Sequence, residues 1–213
     1  MNLVNELQVS VERDDVLTVL RKARRLASKL GVDDIDDWLG AEQNGYREDQ
    51  DVPTYRMVKG SLCYNTNGPI PVGWGQVGTG IMDYPGGFCV DRPMLDAMGE
   101  VMALIERTTT NTNHGLYLQV DNDGLHQFRR TLNPYIADQV TFMLKMNVVQ
   151  VRAIPEAVKD KVMDWALALE RRGVLGENMT FSEKEKTEAH AITFNISNSK
   201  IEQLNNMGSN HKG

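Results

Sequence analysis

The stretch from Asp15 to Tyr46 reads DVLTVLRKARRLASKLGVDDIDDWLGAEQNGY. Val16, Leu20, Ala23, Ala27 and Leu30 recur at i, i+4, i+7, i+11 and i+14, and Leu17, Val19 and Leu26 widen that stripe. This spacing is one apolar face of a helix. Asp14 and Asp15 suit its positive end, and Gly31 suits the position just past its last turn. A second helix is predicted over about 33–44, with Asp33 as its N-cap, Trp38 and Leu39 as apolar positions and Gly45 as its stop. The connection is short, so the two helices should form an αα-hairpin.

Beyond Tyr46 the chain changes character. Pro53, Pro69, Pro71 and Pro85 fall between Arg47 and Gly87, together with many of the 18 glycines. Tyr55 to Tyr64 has the β-formers for one strand, and 65–87 reads as a long ordered loop. A third helix is predicted over 93–106, with Pro93 in its first turn and Leu95, Met98, Met102 and Ile105 as its apolar positions. Leu116 to Val120 reads as a short strand. Val140 to Val151 reads as one strand or a hairpin. Pro155 then opens a helix whose apolar face is Val158, Val162, Trp165, Ala166 and Leu169, and Gly173 ends it. Phe181 to Glu188 is charged and reads as a connector. Ile192, Phe194 and Ile196 then alternate with Thr193, Asn195 and Ser197, the period of a strand. The fold class expected is α+β: a mostly helical domain with a small mixed or antiparallel sheet, plus a C-terminal β-strand tail for oligomerisation.

The chain has 213 residues, enough for one domain with an appendage or two small domains. Its net charge of −6 argues against a general nucleic-acid coat and against attachment to anionic lipid by charge, though it leaves room for a local basic patch. The two cysteines, Cys63 and Cys89, cannot build a disulfide scaffold or a four-cysteine zinc site and suit a reducing compartment. Cys89 reads as a small buried hydrophobe. No secretory leader and no run long enough to span a bilayer is visible, so the expected location is the cytoplasm.

Chemical motifs are sparse. Gly73-Trp-Gly75-Gln-Val-Gly78 matches G-x-G-x-x-G, but Pro69 and Pro71 precede it and Tyr84-Pro85-Gly86-Gly87 follows too soon for the helix that a phosphate cradle needs. Asp121-Asn-Asp123-Gly124 resembles part of a calcium loop, yet its first and twelfth positions would be Gln119 and Arg130, the wrong charges. The four histidines have no zinc spacing, and no metal or cofactor is expected. A helix would put His126, Arg129 and Arg130 on one face, where a general base or phosphate site could form. The basic run Arg21, Lys22, Arg24, Arg25 and Lys29 precedes Asp33, Asp34, Asp36 and Asp37. It reads first as charge pairing across the hairpin and second as a nucleic-acid groove without interleaved aromatics.

Several elements in order resemble a known family. They are VLRKARRLASKLGVDDIDDWLGAEQNGY (19–46), DVPTYRMVKG (51–60), NGPIPVGWG, VRAIPEAVKDKVMDWALALE and the terminal ITFNISNSKIEQ. Together they resemble the AbiTii-type domain, named after a component of a bacterial abortive-infection system, from about Val11 to Gln203. The resemblance implies a role in anti-phage defence and supplies no catalytic set. Its recurring elements single out Trp38, Tyr46, Tyr55 and Arg56 as binding candidates, each with a purely structural alternative.

The organisation expected is an AbiTii-like domain over 1–175, a charged connector over 176–190 and an assembly tail over 191–213. Ile192, Phe194, Ile196, Asn198 and Ile201 are the oligomerisation candidates, because repeated strand Asn residues can form ladders between copies. The expected partner is a second copy of the chain, in a small homo-oligomer such as a trimer, with a second defence protein or a phage protein as a further partner. Two other readings stand beside a toxic effector or sensor. One is a nuclease or nucleotide-hydrolysing toxin with its site near His126, Arg129 and Arg130. The other is an antitoxin or immunity-type partner.

Overall fold

The computed structural model describes residues 2–66, 75–76, 89–110, 116–119, 140–177 and 180–192. The chain divides into two compact units. The first comprises 1–48, 96–100 and the chain from Pro155 onward; the second comprises 49–95 and 101–154. No described helix is long and apolar enough to cross a membrane.

In the first unit, α1 (Leu3–Arg13), α2 (Val16–Leu30) and α3 (Asp33–Asn44) follow one another. α1 has no counterpart among the helices expected from the sequence. Val4, Leu7 and Val11 are its buried stripe, and Asn2 caps it by accepting from the Asn5 N–H at 2.8 Å. Asp15 caps α2 as expected, accepting the N–H groups of Leu17 and Thr18, both at 3.0 Å. Gly31 closes α2 at φ +73°, with the Val32 N–H reaching back to the Ala27 carbonyl. That six-to-one bond satisfies a terminal carbonyl that the helix itself cannot. Val32, not Asp33, holds the N-cap position of α3, and Asp33, Asp34 and Asp36 fill its first turn, where the helix dipole favours negative charge. Arg24 Nε pairs with Asp36 Oδ1 at 3.1 Å across the hairpin.

The second unit is built on an antiparallel sheet. Among the described residues its strands are β1 (Met57–Thr66), β2 (Gly75–Gln76), β3 (Cys89–Pro93), β4 (Leu116–Gln119) and β5 (Val140–Met146). β1 is central. β5 lies along one side of it, and β3 and β2 share the other; β4 pairs beyond β5. The register sets Gly60 opposite Met146 and Leu62 opposite Leu144, with Leu62, Leu144 and Met146 all buried.

Three expectations about element boundaries are corrected. Pro93 ends β3 opposite Met57, and the helix after it, α4, is Met98–Thr110. Among the described residues β3 has one ladder neighbour, β1, and a proline suits the end of such a strand. The start of α4 is set instead by Glu100, whose carboxylate accepts the Ala97 N–H at 3.2 Å. The helix expected to open at Pro155 begins at Val148, forming α5 (Val148–Arg171). Asn147 Oδ1 accepts from the N–H groups of Val149 and Gln150, and this cap outweighs the strand preference of the valines. Gly173, at φ +73°, ends α5 as expected. Finally, residues 183–192 are helical, here α6, where a connector and the start of a strand were expected. Ala189 and Ile192 are its buried positions.

Candidate functional site

Two of the family-like positions lie in the first unit. Trp38 is half-buried on α3. Gly45 follows the helix at φ +93°, where a side chain would be strained. That turn brings Tyr46 back against the last helical turn, where its hydroxyl donates to Glu42 Oε1 at 2.6 Å. Glu42 is fully buried and Tyr46 nearly so. The NGY element is therefore a helix exit that supplies a buried carboxylate with a phenolic donor.

The other two positions lie in the second unit. Pro53 leads into a 3-10 turn, Thr54–Arg56, closed by the Arg56 N–H on the Pro53 carbonyl at 2.9 Å. Tyr55 is half-buried. Arg56 is fully buried and donates from Nη1 to the Met94 carbonyl at 2.8 Å, while the Met94 N–H donates to the Arg56 carbonyl at 2.9 Å. The guanidinium thus ties the entry of β1 to the exit of β3.

The most heavily built polar feature of the first unit was not anticipated. Ser182 and Glu185 form a capping box at the start of α6. The Ser182 N–H and Oγ both donate to Glu185 Oε2 at 2.8 Å, and the Glu185 N–H donates back to Ser182 Oγ at 3.3 Å. Oε1 of the same carboxylate accepts the N–H groups of Leu175 and Gly176 at 3.0 and 3.1 Å. The carbonyls of Leu175 and Gly176 in turn accept from Val4 and Leu3, both at 3.3 Å, which satisfies two orphan donors in the first turn of α1.

One carboxylate therefore fastens α6 to the turn after α5, and through that turn to α1. Partial burial would raise its pKa, but the N–H groups of Ser182, Gly176 and Leu175 and the Ser182 hydroxyl outweigh it and hold Glu185 at about 2. Gly176 has φ +69°, and a Cβ there would lie 2.5 Å from the Phe181 ring, so the ring packs directly on glycine backbone. Arg172 and Glu188 add an exposed pair at 3.3 Å. The S-x-x-E spacing was legible in the sequence, but it sat inside a run read as charged connector.

Chemically this clasp holds and orients; four of its hydrogen bonds land on one carboxylate kept ionised. Burial raises the pKa of the Cys63 thiol, which makes it a poor nucleophile. Among the described residues no group of His, Cys, Asp and Glu could hold a metal ion. Within the G-x-G-x-x-G match, Gly75 and Gln76 form β2 and pair with Tyr64 and Cys63. His126, Arg129 and Arg130, and of the tail candidates Phe194, Ile196, Asn198 and Ile201, lie outside the described residues. Ile192 is described, and it is 5% exposed at the end of α6 rather than on a strand.

No curated protein and no solved structure matches the chain. A family model does. Its match runs over residues 2–194, from the cap of α1 past the end of α6, and takes in both hairpin helices, the 3-10 turn with Arg56 and the Glu185 clasp: the chain belongs to the AbiTii family.

Proposed function

We propose that the chain acts through self-association, held together by the segment that follows α6. Family membership implies anti-phage defence by abortive infection. The finer reading is that copies cluster into a small homo-oligomer, such as a trimer, through residues after Ile192, and that infection changes this assembly or its contact with a second defence protein or a phage protein. The observation that carries the reading is the Glu185 clasp. The side chains of α6 over 183–188 are mostly charged, and Ala189 and Ile192 are its buried hydrophobic positions. A helix with so little apolar burial would fray if left to propensity. Four hydrogen bonds on one carboxylate fix its base, and so hold in place the helix whose last residue, Ile192, precedes the proposed assembly segment. The alternation of Phe194 and Ile196 with Asn195 and Ser197 supplies the strand chemistry for pairing between copies.

The test is protection of a phage-challenged culture. The full chain, a chain ending at Ile192 and a His126→Ala/Arg129→Ala chain are expressed at equal levels. Protection is expected to disappear in the truncated chain and to persist in the double variant. The opposite pattern would place the function in a catalytic site around His126.

A further inference from the structure

The α2–α3 hairpin carries an unbalanced pair of charged surfaces. α2 contains five cations, Arg21, Lys22, Arg24, Arg25 and Lys29, and no acid, in a chain whose net charge is −6. Lys22 reaches Asp14 at 2.7 Å, and Arg24 reaches Asp36 at 3.1 Å in the seam of the hairpin. Arg21 and Arg25 are exposed, stand at i and i+4, and have no ion-pair partner among the described residues. Like charges at that spacing weaken a helix. The start of α3 mirrors this with Asp33, Asp34 and Asp37, all exposed and likewise without an ion-pair partner among the described residues.

We infer that the basic face of α2 docks on the acidic start of α3 in a second copy of the chain. Both signs sit on one hairpin, so each copy can present its arginines to a neighbour's aspartates, isologously across a two-fold axis in a dimer or head to tail around a ring such as a trimer. Nucleic acid fits less well. Arg21, Lys22, Arg25 and Ser28 form the exposed face with no aromatic platform for bases, and the chain's overall charge repels a polyanion. Exposed ion pairs are individually weak, so a few of them hold free chains at best on the order of millimolar. Copies tethered through the segment after α6 meet at an effective concentration of that same order. This inference rests on the assembly reading above, and the contact forms within that assembly.

The experiment uses full chains, half of them isotopically labelled, and a carbodiimide that joins an amine to a touching carboxylate. Links between copies from Lys22 or Lys29 to Asp33 are read beside the sedimentation mass. Wild type is expected to give them. Arg21→Glu/Arg25→Glu and Asp34→Lys/Asp37→Lys should each lower them at least fivefold, and an equimolar mixture of the two variants should restore them, since both contacts are then complementary again. Equal linking in all samples, or a multimer without these links, overturns the docking alone. A monomeric wild type overturns docking and assembly together. Nucleic acid bound to wild type and lost in Arg21→Glu/Arg25→Glu assigns the face to a polyanion and overturns the second-copy occupant.

Discussion

Replacing Glu185 by Ala is expected to destabilise the first unit by about 2–4 kcal/mol, because it removes a carboxylate that accepts four hydrogen bonds and strands the N–H groups of Leu175 and Gly176. Hydrogen exchange should rise first in 183–192 and then in the first turn of α1, since the carbonyls of Leu175 and Gly176 hold that turn. Glu185→Gln keeps one acceptor oxygen and should cost less. The acid response separates the two effects. The folded pKa of about 2 lies below the ordinary 4.5, so the stabilisation is complete above the unfolded value and is lost as pH falls from about 5 toward 2. Discounted for a partly exposed site, wild type should lose on the order of 1–2 kcal/mol more than Glu185→Gln over that range. Urea unfolding at pH 6 and pH 3 reads both differences. Equal acid sensitivity in the two proteins would remove the carboxylate from the clasp.

Gly60→Ala is expected to destabilise the second unit by about 2–3 kcal/mol through overpacking. A Cβ at Gly60 would lie 2.5–2.8 Å from the Cγ and both Cδ atoms of Leu144, so the whole isobutyl group would have to move. Leu144 is 5% exposed and sits on β5 between β1 and β4, which leaves it little room to turn. The control is a double-mutant cycle. Leu144→Ala alone should cost about 2–4 kcal/mol by opening a cavity. On that background Gly60→Ala should cost less than about 1 kcal/mol, because the added methyl enters space already vacated. Additive losses would show that Gly60 matters through its backbone freedom and not through Leu144.

What could be read in advance follows the physics of each element. α2 and its hairpin were legible because a long apolar stripe, an aspartate cap and a stop glycine coincide. The strands Leu116–Gln119 and Met57–Thr66 were legible from their β-formers, Tyr117 between two leucines in one and Val58 and Tyr64 in the other. α1 escaped because its stripe is only Val4, Leu7 and Val11, too short to stand out. The start of α5 was misread because Val148, Val149 and Val151 favour strands, while the decisive signal was a single cap, Asn147. Pro93 is ambiguous in sequence because proline suits both a first helical turn and a strand end. The clasp was missed for a different reason. Its capping box is local, but the reach of Glu185 to Leu175 and Gly176 is tertiary, and no periodicity encodes it. The burial of Arg56 is likewise set by the turn after Pro53 and by the Met94 carbonyl, which sequence spacing does not show.

We propose above that the segment after α6 holds copies together. The most direct test is the solution mass of the full chain beside a chain ending at Ile192, by sedimentation velocity. The cut belongs there because Ala189 and Ile192 are buried in the first unit, so a shorter chain would damage the fold as well as the assembly. A discrete multimer is expected for the full chain and a folded monomer for the truncated one. The same mass for both would contradict it.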